Sequence, residues 1–388
     1  MQRTHIFIGL AILLWGTTSA IGQDFFGLAQ CDPCVPASNA CGLLGNGASS
    51  DSPFSFGGWV EMGVYTNSHG SRSNGPIFSA SHERTDFQMN QLFIFGEKEL
   101  NTKRGFDWGG RVDVAYGTDY DVMQTADGTF DDGWGVNRHG YGLAIYNLYG
   151  TLGYKDLSVT VGKFVTLIGW EAVAAKDNLF YSHSYCYMIE PSTHTGVFAT
   201  YDLTDRLSLT AGWTTGRDSS FKNPNGNSAA LFGFDYSLAK NASIIYMINA
   251  GKEYNDSVRT DYFIQSLCFE WALTKRFTYV MQYNLGNNNE RGGSRTSAYG
   301  INNHFLYKLT DKLTAGTRVE WFRDNAHVFD AIASDYWQVT LGLRWDATGY
   351  LSFRPEVRYS WCNGGATPFA DSTRRNQISG GCGMIISF

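Results

Sequence analysis

Hydrophobic and polar residues alternate with a period of two along most of the chain from Phe54 to Phe388. In Leu313–Trp321, for example, Leu313, Ala315, Val319 and Trp321 occupy odd-numbered positions, whereas Thr314, Gly316, Arg318 and Glu320 occupy even-numbered ones. This period places successive side chains on opposite faces of a β-strand. The apolar faces repeatedly end in Trp, Tyr or Phe, which is typical of a lipid-facing wall with aromatic girdles.

The connections between these predicted strands alternate between short and long. Short turns occur at Asn101–Gly105, Tyr154–Asp156, Thr204–Arg206, Ala239–Asn241, Thr274–Arg276, Thr310–Lys312 and Asp346–Gly349. Longer polar segments occupy residues 67–85, 118–139, 166–192, 217–227, 252–260, 287–295, 324–334 and 362–374. This asymmetry predicts an all-β fold, a transmembrane antiparallel β-barrel of the bacterial outer membrane with short periplasmic turns and long extracellular loops. We expect sixteen strands, with fourteen and eighteen as alternatives, because Phe54–Gly96 is the least regular region.

Closure of such a barrel requires the last strand to pair with the first, since hydrocarbon offers no partner to a free strand edge. The predicted last strand, Arg375–Phe388, is apolar on one face and ends in Phe388. A C-terminal Phe on such a strand resembles the assembly signal of outer-membrane proteins. We therefore expect outer-membrane lipid and the barrel-assembly machinery as partners. The alternative is the buried last strand of a soluble domain.

Composition and the N-terminus limit the other classes of protein. Aromatic residues make up 15% of the 388 residues and charged residues 17%, which excludes a disordered chain. The net charge of −6 without a basic block argues against nucleic-acid binding. Residues 1–22 resemble a signal peptide that is cleaved on export, 23–53 a flexible periplasmic linker, and 54–388 the barrel. In the linker, a local disulfide between Cys31 and Cys34 is favoured over catalysis.

The middle of the chain carries a resemblance to a known family. The elements are listed in chain order: Asn90–Leu92, Gly162–Phe164, Gly169–Glu171, Asn178–Ser182, Pro191, Thr193–Val197, Leu203–Leu207 and Gly216. Together they resemble the putative beta-barrel porin 2, OmpL-like family over most of Phe54–Phe388. The resemblance implies an outer-membrane porin-like barrel and does not imply a particular solute.

The segment 166–192 is the candidate constriction, because it is long, aromatic and poor in flexible residues. The alternatives are a loop that folds over the barrel and one that seals it. Its ionisable candidates are Glu171, Lys176, Asp177, His183 and Glu190. Strand parity adds the pore-lining candidates Arg111, Asp113, Arg318, Glu320, Arg344, Arg354, Glu356 and Arg358, and also places Glu61, Asp235 and Glu270 on the inner face. Arg344, Arg354 and Arg358 form either a basic ladder facing an acidic loop or ordinary neutralising pairs.

No catalytic motif, cofactor fingerprint or metal-ligand spacing is recognisable, so we expect neither an enzyme nor a cofactor or metal. The sequence favours a porin that forms an aqueous channel for passive diffusion of small hydrophilic solutes or ions. A non-conducting surface, structural or adhesion barrel is the alternative. A homo-oligomer is compatible with either function.

Overall fold

The computed structural model describes residues 52–71, 73–75, 86–223, 226–255, 258–328 and 332–388. The predicted signal peptide and all but the last two residues of the predicted linker, with Cys31 and Cys34, lie outside these ranges. The described chain forms sixteen strands: β1 (Phe54–Asn67), β2 (Gln88–Lys98), β3 (Phe106–Gly117), β4 (Gly142–Tyr154), β5 (Leu157–Val165), β6 (Thr193–Thr204), β7 (Leu207–Arg217), β8 (Ser228–Ala239), β9 (Ala242–Asn255), β10 (Val258–Ala272), β11 (Phe277–Glu290), β12 (Arg295–Thr310), β13 (Leu313–Asp324), β14 (Ser334–Asp346), β15 (Leu351–Asn363) and β16 (Asn376–Ser387). Short 3-10 turns cover Thr102–Arg104, Thr118–Val122, Ala175–Asp177 and Tyr187–Ile189.

Each strand pairs antiparallel with its sequence neighbours, and β1 pairs with β16, so the sheet closes into a barrel. The last residue completes the seam, because the Phe388 amide donates to the Gly58 carbonyl at 2.9 Å and the Gly58 amide donates to Phe388 at 2.9 Å. The prediction of sixteen strands is confirmed. Closure gives every strand two neighbours and leaves no unpaired sheet edge.

The two ends of the barrel differ in the length of their connections. At the turn end, β4–β5, β6–β7, β8–β9 and β12–β13 are joined by two residues each. At the loop end, the longest fully described connection is 166–192 between β5 and β6, with the predicted limits. The predicted loops 252–260 and 287–295 were too long, because the hydrogen-bonded ladders continue to Asn255 and Glu290. Backbone pairing extends past the apolar part of these strands since it does not depend on side-chain polarity.

Strand parity separates an apolar outer surface from the barrel interior. Large hydrophobic side chains on the outer face are exposed, among them Phe56, Val161 and Leu341. The charged residues predicted for the inner face alternate with them and point inward. Among the described residues, none of the helical segments is long and apolar enough to cross a bilayer.

The interior itself is divided into an apolar side and a polar side. Along β5–β10, inward side chains such as Phe198, Leu231, Met247 and Ile264 form a buried cluster with Ile168. Along β11–β15, the inward residues are mainly amides, carboxylates and guanidinium groups. The polar inner face predicted for the whole barrel therefore applies to only part of it.

Candidate functional site

Segment 166–192, which we call the inner loop, lies inside the barrel and contacts inward side chains around the wall. The Trp170 indole donates to Glu270 on β10 at 3.3 Å, and the Tyr181 hydroxyl donates to Asn90 on β2 at 2.8 Å. Tyr185 is fully buried against Phe322 and Tyr336. The aromatic residues that distinguish this segment in the sequence thus pack it to the wall.

Carboxylates of the wall accept hydrogen bonds from the backbone of the inner loop. Both carboxylate oxygens of Glu320 are used, by the amides of Tyr185 at 2.8 Å and Cys186 at 2.6 Å. Glu356 accepts the amides of Tyr181 at 2.7 Å and Ser182 at 3.2 Å. An irregular segment buried away from water needs such partners, because an unpaired backbone amide is costly to bury.

Arginines of the wall satisfy the carbonyl groups of the same segment. Arg354 donates to the carbonyl oxygens of Ala175 at 2.7 Å and Phe180 at 2.9 Å. Arg344 donates to the Lys176 carbonyl at 2.5 Å. The planar guanidinium group, with five N–H donors, can serve several carbonyls at once.

The six residues Arg318, Glu320, Arg344, Arg354, Glu356 and Arg358, which we call the wall anchors, thus hold the inner loop. All six appear among the candidate pore-lining residues, but five of them are almost completely buried, Arg344 being partly buried. The interpretation as a basic ladder facing an acidic loop was wrong, because the arginines bind carbonyl groups of the loop and not its carboxylates. Most contacts that Arg344, Arg354 and Arg358 make with the loop go to backbone carbonyls. Arg354 also pairs with Glu61 on β1.

A buried ion pair lies at the centre of the contact between loop and wall. The Arg318 guanidinium donates to Glu171 at 2.7 Å and to the Ser182 carbonyl at 2.7 Å. Burial alone would raise the pKa of Glu171, but Arg318, with His183 and His304, outweighs that effect and holds the pKa well below 4.5. Glu171 is therefore a permanent anion at neutral pH, and its second oxygen accepts from Ser184 at 2.8 Å.

The second buried carboxyl of the inner loop, Glu190, has the opposite character. Its side chain accepts hydrogen bonds from the amides of Gln282 and Asn284 on β11 and has no ion pair among the described residues. Burial raises the pKa of Glu190 well above 4.5, and the nearby Glu171 and Glu320 raise it further. The pKa values of the two carboxyls on this loop are thus shifted in opposite directions, because Glu171 has a cation beside it and Glu190 does not.

Replacing Glu190 with Gln is expected to remove a pH-dependent loss of stability. A folded-state pKa above the unfolded value makes the free energy of unfolding fall as pH rises from 4.5 through the folded pKa. Relative to wild type, Glu190→Gln should therefore gain up to about 1.4 kcal/mol per pH unit in that window. Urea unfolding in lipid vesicles between pH 5 and pH 8 measures the gain. The exposed Asp311→Asn serves as control, and parallel pH curves for wild type and Glu190→Gln would contradict the expectation.

The remaining predicted residues of the loop make local contacts. Lys176 pairs with Asp177 at 2.8 Å and lies over the ring of Trp59. The ring of His183 stacks on Tyr187 with centroids 3.9 Å apart. The Lys176 and His183 carbonyls accept hydrogen bonds from wall arginines, so at these positions the backbone also binds the wall.

Arg111 and Asp113 belong to a separate group on β3. Arg111 pairs with Glu97 at 3.0 Å and with Asp113 at 2.7 Å, and Asp113 accepts from Asn147 at 2.5 Å. Neither has a hydrogen bond to the inner loop among the described contacts that involve them. Strand parity predicted both residues as pore-lining because it shows that a side chain faces the barrel interior. It does not show at which depth along the barrel axis the inner loop lies.

A second connection, 118–141, also folds against the interior, and sequence reasoning missed it. Lys163 on β5 is fully buried and binds Asp131 at 3.3 Å and the Met123 carbonyl at 3.0 Å. Asp131 further accepts the amides of Thr125 at 2.9 Å and Ile145 at 2.8 Å. The signal in the sequence was Lys163, because a lysine at an inward strand position needs a partner inside the barrel. No cluster of three or more metal-ligating side chains occurs among the described residues.

Two cavities border the inner loop. A cavity of about 270 Å³ faces the loop end, where Glu190, Arg217 and Asp218 meet apolar residues such as Ile264 and Val328. A cavity of about 20 Å³ lies between the loop and β1–β2, beside Glu61 and Gln91. The inner loop thus contributes lining residues to both cavities.

Comparisons with known proteins agree with this architecture. The family model described as "Putative beta-barrel porin-2, OmpL-like" matches residues 53–388. No curated protein matches the sequence. Solved structures of similar fold include the anion-selective porin from Comamonas acidovorans, with 10% identity, a TM-score of 0.58, and coverage of 86% of this chain and 99% of that one. The outer-membrane channel DcaP of Acinetobacter baumannii has 10% identity, a TM-score of 0.58, and coverage of 86% and 97%. The trimer form of OmpT, an outer-membrane protein of Vibrio cholerae, has 11% identity, a TM-score of 0.56, and coverage of 86% and 99%.

Proposed function

We propose that this chain, which belongs to the putative beta-barrel porin-2, OmpL-like family and is a porin of the bacterial outer membrane, passes small hydrophilic solutes or ions by passive diffusion. A sixteen-strand barrel is wide enough for an aqueous channel unless something inside narrows it. The inner loop is the proposed constriction. Its wall anchors would then act as positioning residues that set the width and the charge of the route.

The observation that carries this proposal is the anchoring of the inner loop across the interior. Carboxylates and guanidinium groups from β13, β14 and β15 bind its backbone at distances of 2.5–3.3 Å. A mobile loop that happened to fall into the barrel would not need a matched donor or acceptor for consecutive backbone groups. The anchoring therefore supports a fixed obstruction of defined shape.

Purified full-length protein is expected to give discrete current steps in a planar lipid bilayer. A water-filled route narrowed by a fixed loop conducts ions, and the reversal potential in a salt gradient reports their relative permeability. Empty detergent micelles and heat-denatured protein are the controls. Absence of steps from protein that is shown to be folded would contradict the channel function.

A non-conducting structural or adhesion barrel is the second candidate. It is favoured by the complete burial of inward wall residues such as Gln282, Asn302 and Gln338 next to the inner loop. The same bilayer measurement distinguishes the two functions. A folded barrel that gives no current steps would support the structural or adhesion function. We expect no catalysis in either case.

Assembly is a further part of the proposal. Phe388 is expected to be the residue that the barrel-assembly machinery recognises, which the yield of folded barrel from a chain lacking Phe388 would test. Outer-membrane lipid is the expected surrounding of the outer face. The trimer form of the Vibrio cholerae protein supports a homo-oligomer here as well.

A further inference from the structure

The cavity of about 270 Å³ at the loop end has two parts of different chemistry. One part is apolar and contains Ile189 from the inner loop, Ile264 from β10 and Val328 from the connection after β13. The other part contains Arg217, the last residue of β7, and Asp218, which follows it. The volume lies below the range of about 300–1,000 Å³ that is usual for drug-sized ligands, so the cavity suits a smaller, amphipathic solute.

A β-bulge directs Arg217 into the barrel. Trp213 on the same strand faces outward, so uninterrupted alternation would place Arg217 on the lipid side as well. The register of β7 with β6 shifts between His194 and Gly196, which leaves one extra residue on β7. Gly216 lies in this bulge with a φ of 116°, a conformation that would strain any side chain. Bulges that redirect a side chain are frequent beside functional sites.

Arg217 is held in place by its neighbours and retains unused donors. Its Nε and Nη2 donate to Glu253 on β9 at 3.2 Å and 2.8 Å, and its guanidinium group lies 4.4 Å from the ring centroid of Tyr262. Nη1 has no hydrogen-bond partner among the described residues. Because Glu253 and Tyr262 fix the orientation of the guanidinium group, its remaining N–H groups can bind a carboxylate of a solute.

Asp218 carries the opposite charge beside Arg217. Its Oδ1 accepts from the amides of Ser192 and Thr193 at 2.8 Å each, whereas Oδ2 has no hydrogen-bond partner among the described residues. Burial raises the pKa of Asp218 to about 6, and these amides act against that effect, so the carboxyl is mostly ionised above pH 7. Its backbone has a φ of 46°, and such strained conformations concentrate at functional sites. Oδ2 can therefore bind a cationic group of a solute.

We propose that this cavity binds a zwitterionic α-amino acid with a small aliphatic side chain, as a solute-binding site at the loop end of the channel. The carboxylate of the amino acid binds Arg217, its ammonium group binds Asp218, and its side chain lies in the apolar part. The two charges of the cavity lie on consecutive residues, so they match opposite charges carried by one carbon atom better than they match a simple anion or cation. Glu190, the third ionisable residue of the cavity, is engaged by side-chain amides of β11. This choice of solute rests on the proposed function, because it assigns a solute class to the proposed channel.

L-Leucine is the probe for this site, and two analogues that each lack one charged group are its matched controls. Isocaproate lacks the ammonium group, and isoamylamine lacks the carboxylate. Isothermal titration calorimetry on purified full-length protein in detergent measures their affinities without requiring conduction. We expect L-leucine to bind at least about tenfold more tightly than either analogue, because each analogue leaves one charged group of the cavity without its partner.

Replacing Asp218 with Asn is expected to remove only the recognition of the ammonium group. Asn keeps a side-chain oxygen for the Ser192 and Thr193 amides and tolerates the left-handed backbone conformation, so the cavity should keep its shape. The affinity for L-leucine should fall at least about tenfold, whereas the affinity for isocaproate should not fall. The exposed Asp311→Asn at the turn end is the control and should bind L-leucine like wild type.

Replacing Val328 with Ser examines the apolar part separately. Val328 is exposed, so the change should not impair folding. We expect the affinity for L-leucine to fall about threefold or more and the affinity for glycine, which has no side chain, to stay near the wild-type value.

Four outcomes would overturn the proposal: wild type that does not bind L-leucine at millimolar concentration, equal affinities for L-leucine and isocaproate, an Asp218→Asn variant that binds L-leucine like wild type, or one that loses isocaproate as well. Bilayer current is recorded on the same preparations. A barrel that conducts without binding L-leucine contradicts only the binding site, whereas a barrel that binds it without conducting contradicts only the channel function.

Discussion

Replacing Ala172–Tyr185 with a short Gly-Ser linker is expected to raise the single-channel conductance several-fold. The segment contains the loop residues that Arg344 and Arg354 hold and most of those that Arg318 and Glu356 hold, and it occupies much of the interior beside β11–β15. Its removal would leave the barrel itself intact, since no strand pairing involves it. The wall anchors would then be solvated by channel water.

The control for this replacement is the exposed connection 291–294 between β11 and β12. The same linker in place of that connection should leave conductance near the wild-type value. Both variants are compared by current steps in planar bilayers at one salt concentration. An unchanged conductance in the variant that lacks 172–185 would contradict the inner loop as the constriction, even if the wild-type barrel conducts.

Replacing Arg318 with Met is expected to lower the free energy of unfolding by about 3–5 kcal/mol. The change leaves the Glu171 carboxylate buried without its cation and removes donors from the Ser182 and His183 carbonyls. Equilibrium urea unfolding in lipid vesicles measures the loss. Removing both charges, in Glu171→Met with Arg318→Met, should cost less than the single change, because no unpaired charge remains.

The pH dependence of these variants distinguishes the ion pair from simple packing. Because Arg318 holds the pKa of Glu171 below 4.5, the pair stabilises the protein above that pH and its contribution is lost as pH falls through the lowered pKa. Wild type should therefore approach the stability of Arg318→Met in acid. The double replacement should lack this pH dependence. If the loss of stability in the double replacement equalled the sum of the losses in Glu171→Met alone and Arg318→Met alone, a specific Glu171–Arg318 interaction would be refuted.

Strand number and the limits of the inner loop were predictable because they depend on local patterns. Period-two alternation defines each strand, and 166–192 interrupts it with aromatic residues that need a packing partner. Inward parity of Arg318, Glu320 and Glu356 was predictable for the same reason, since register fixes the face of every side chain.

The partners of those charges could not be predicted, because they are backbone groups of a segment distant in sequence. Glu356 binds Tyr181 and Ser182 across 175 and 174 positions, and no sequence pattern records a bond to a peptide N–H. The apolar interior beside β5–β10 was also missed. On strands such as β8 both faces are apolar at Leu231 and Phe232, so alternation alone does not separate lipid from core.

Tyr181 of the inner loop contacts the junction between the first and the last strand of the barrel. Its ring lies against Gly63 on β1 and Gly383 on β16, where a side chain on either glycine would collide with it. One loop residue thus spans the junction of the first and last strands, while its hydroxyl binds Asn90 on β2. Lateral separation of β1 from β16 must therefore break loop contacts as well as ladder bonds. We therefore expect the binding of the inner loop to the wall and the final closure of the barrel to be cooperative.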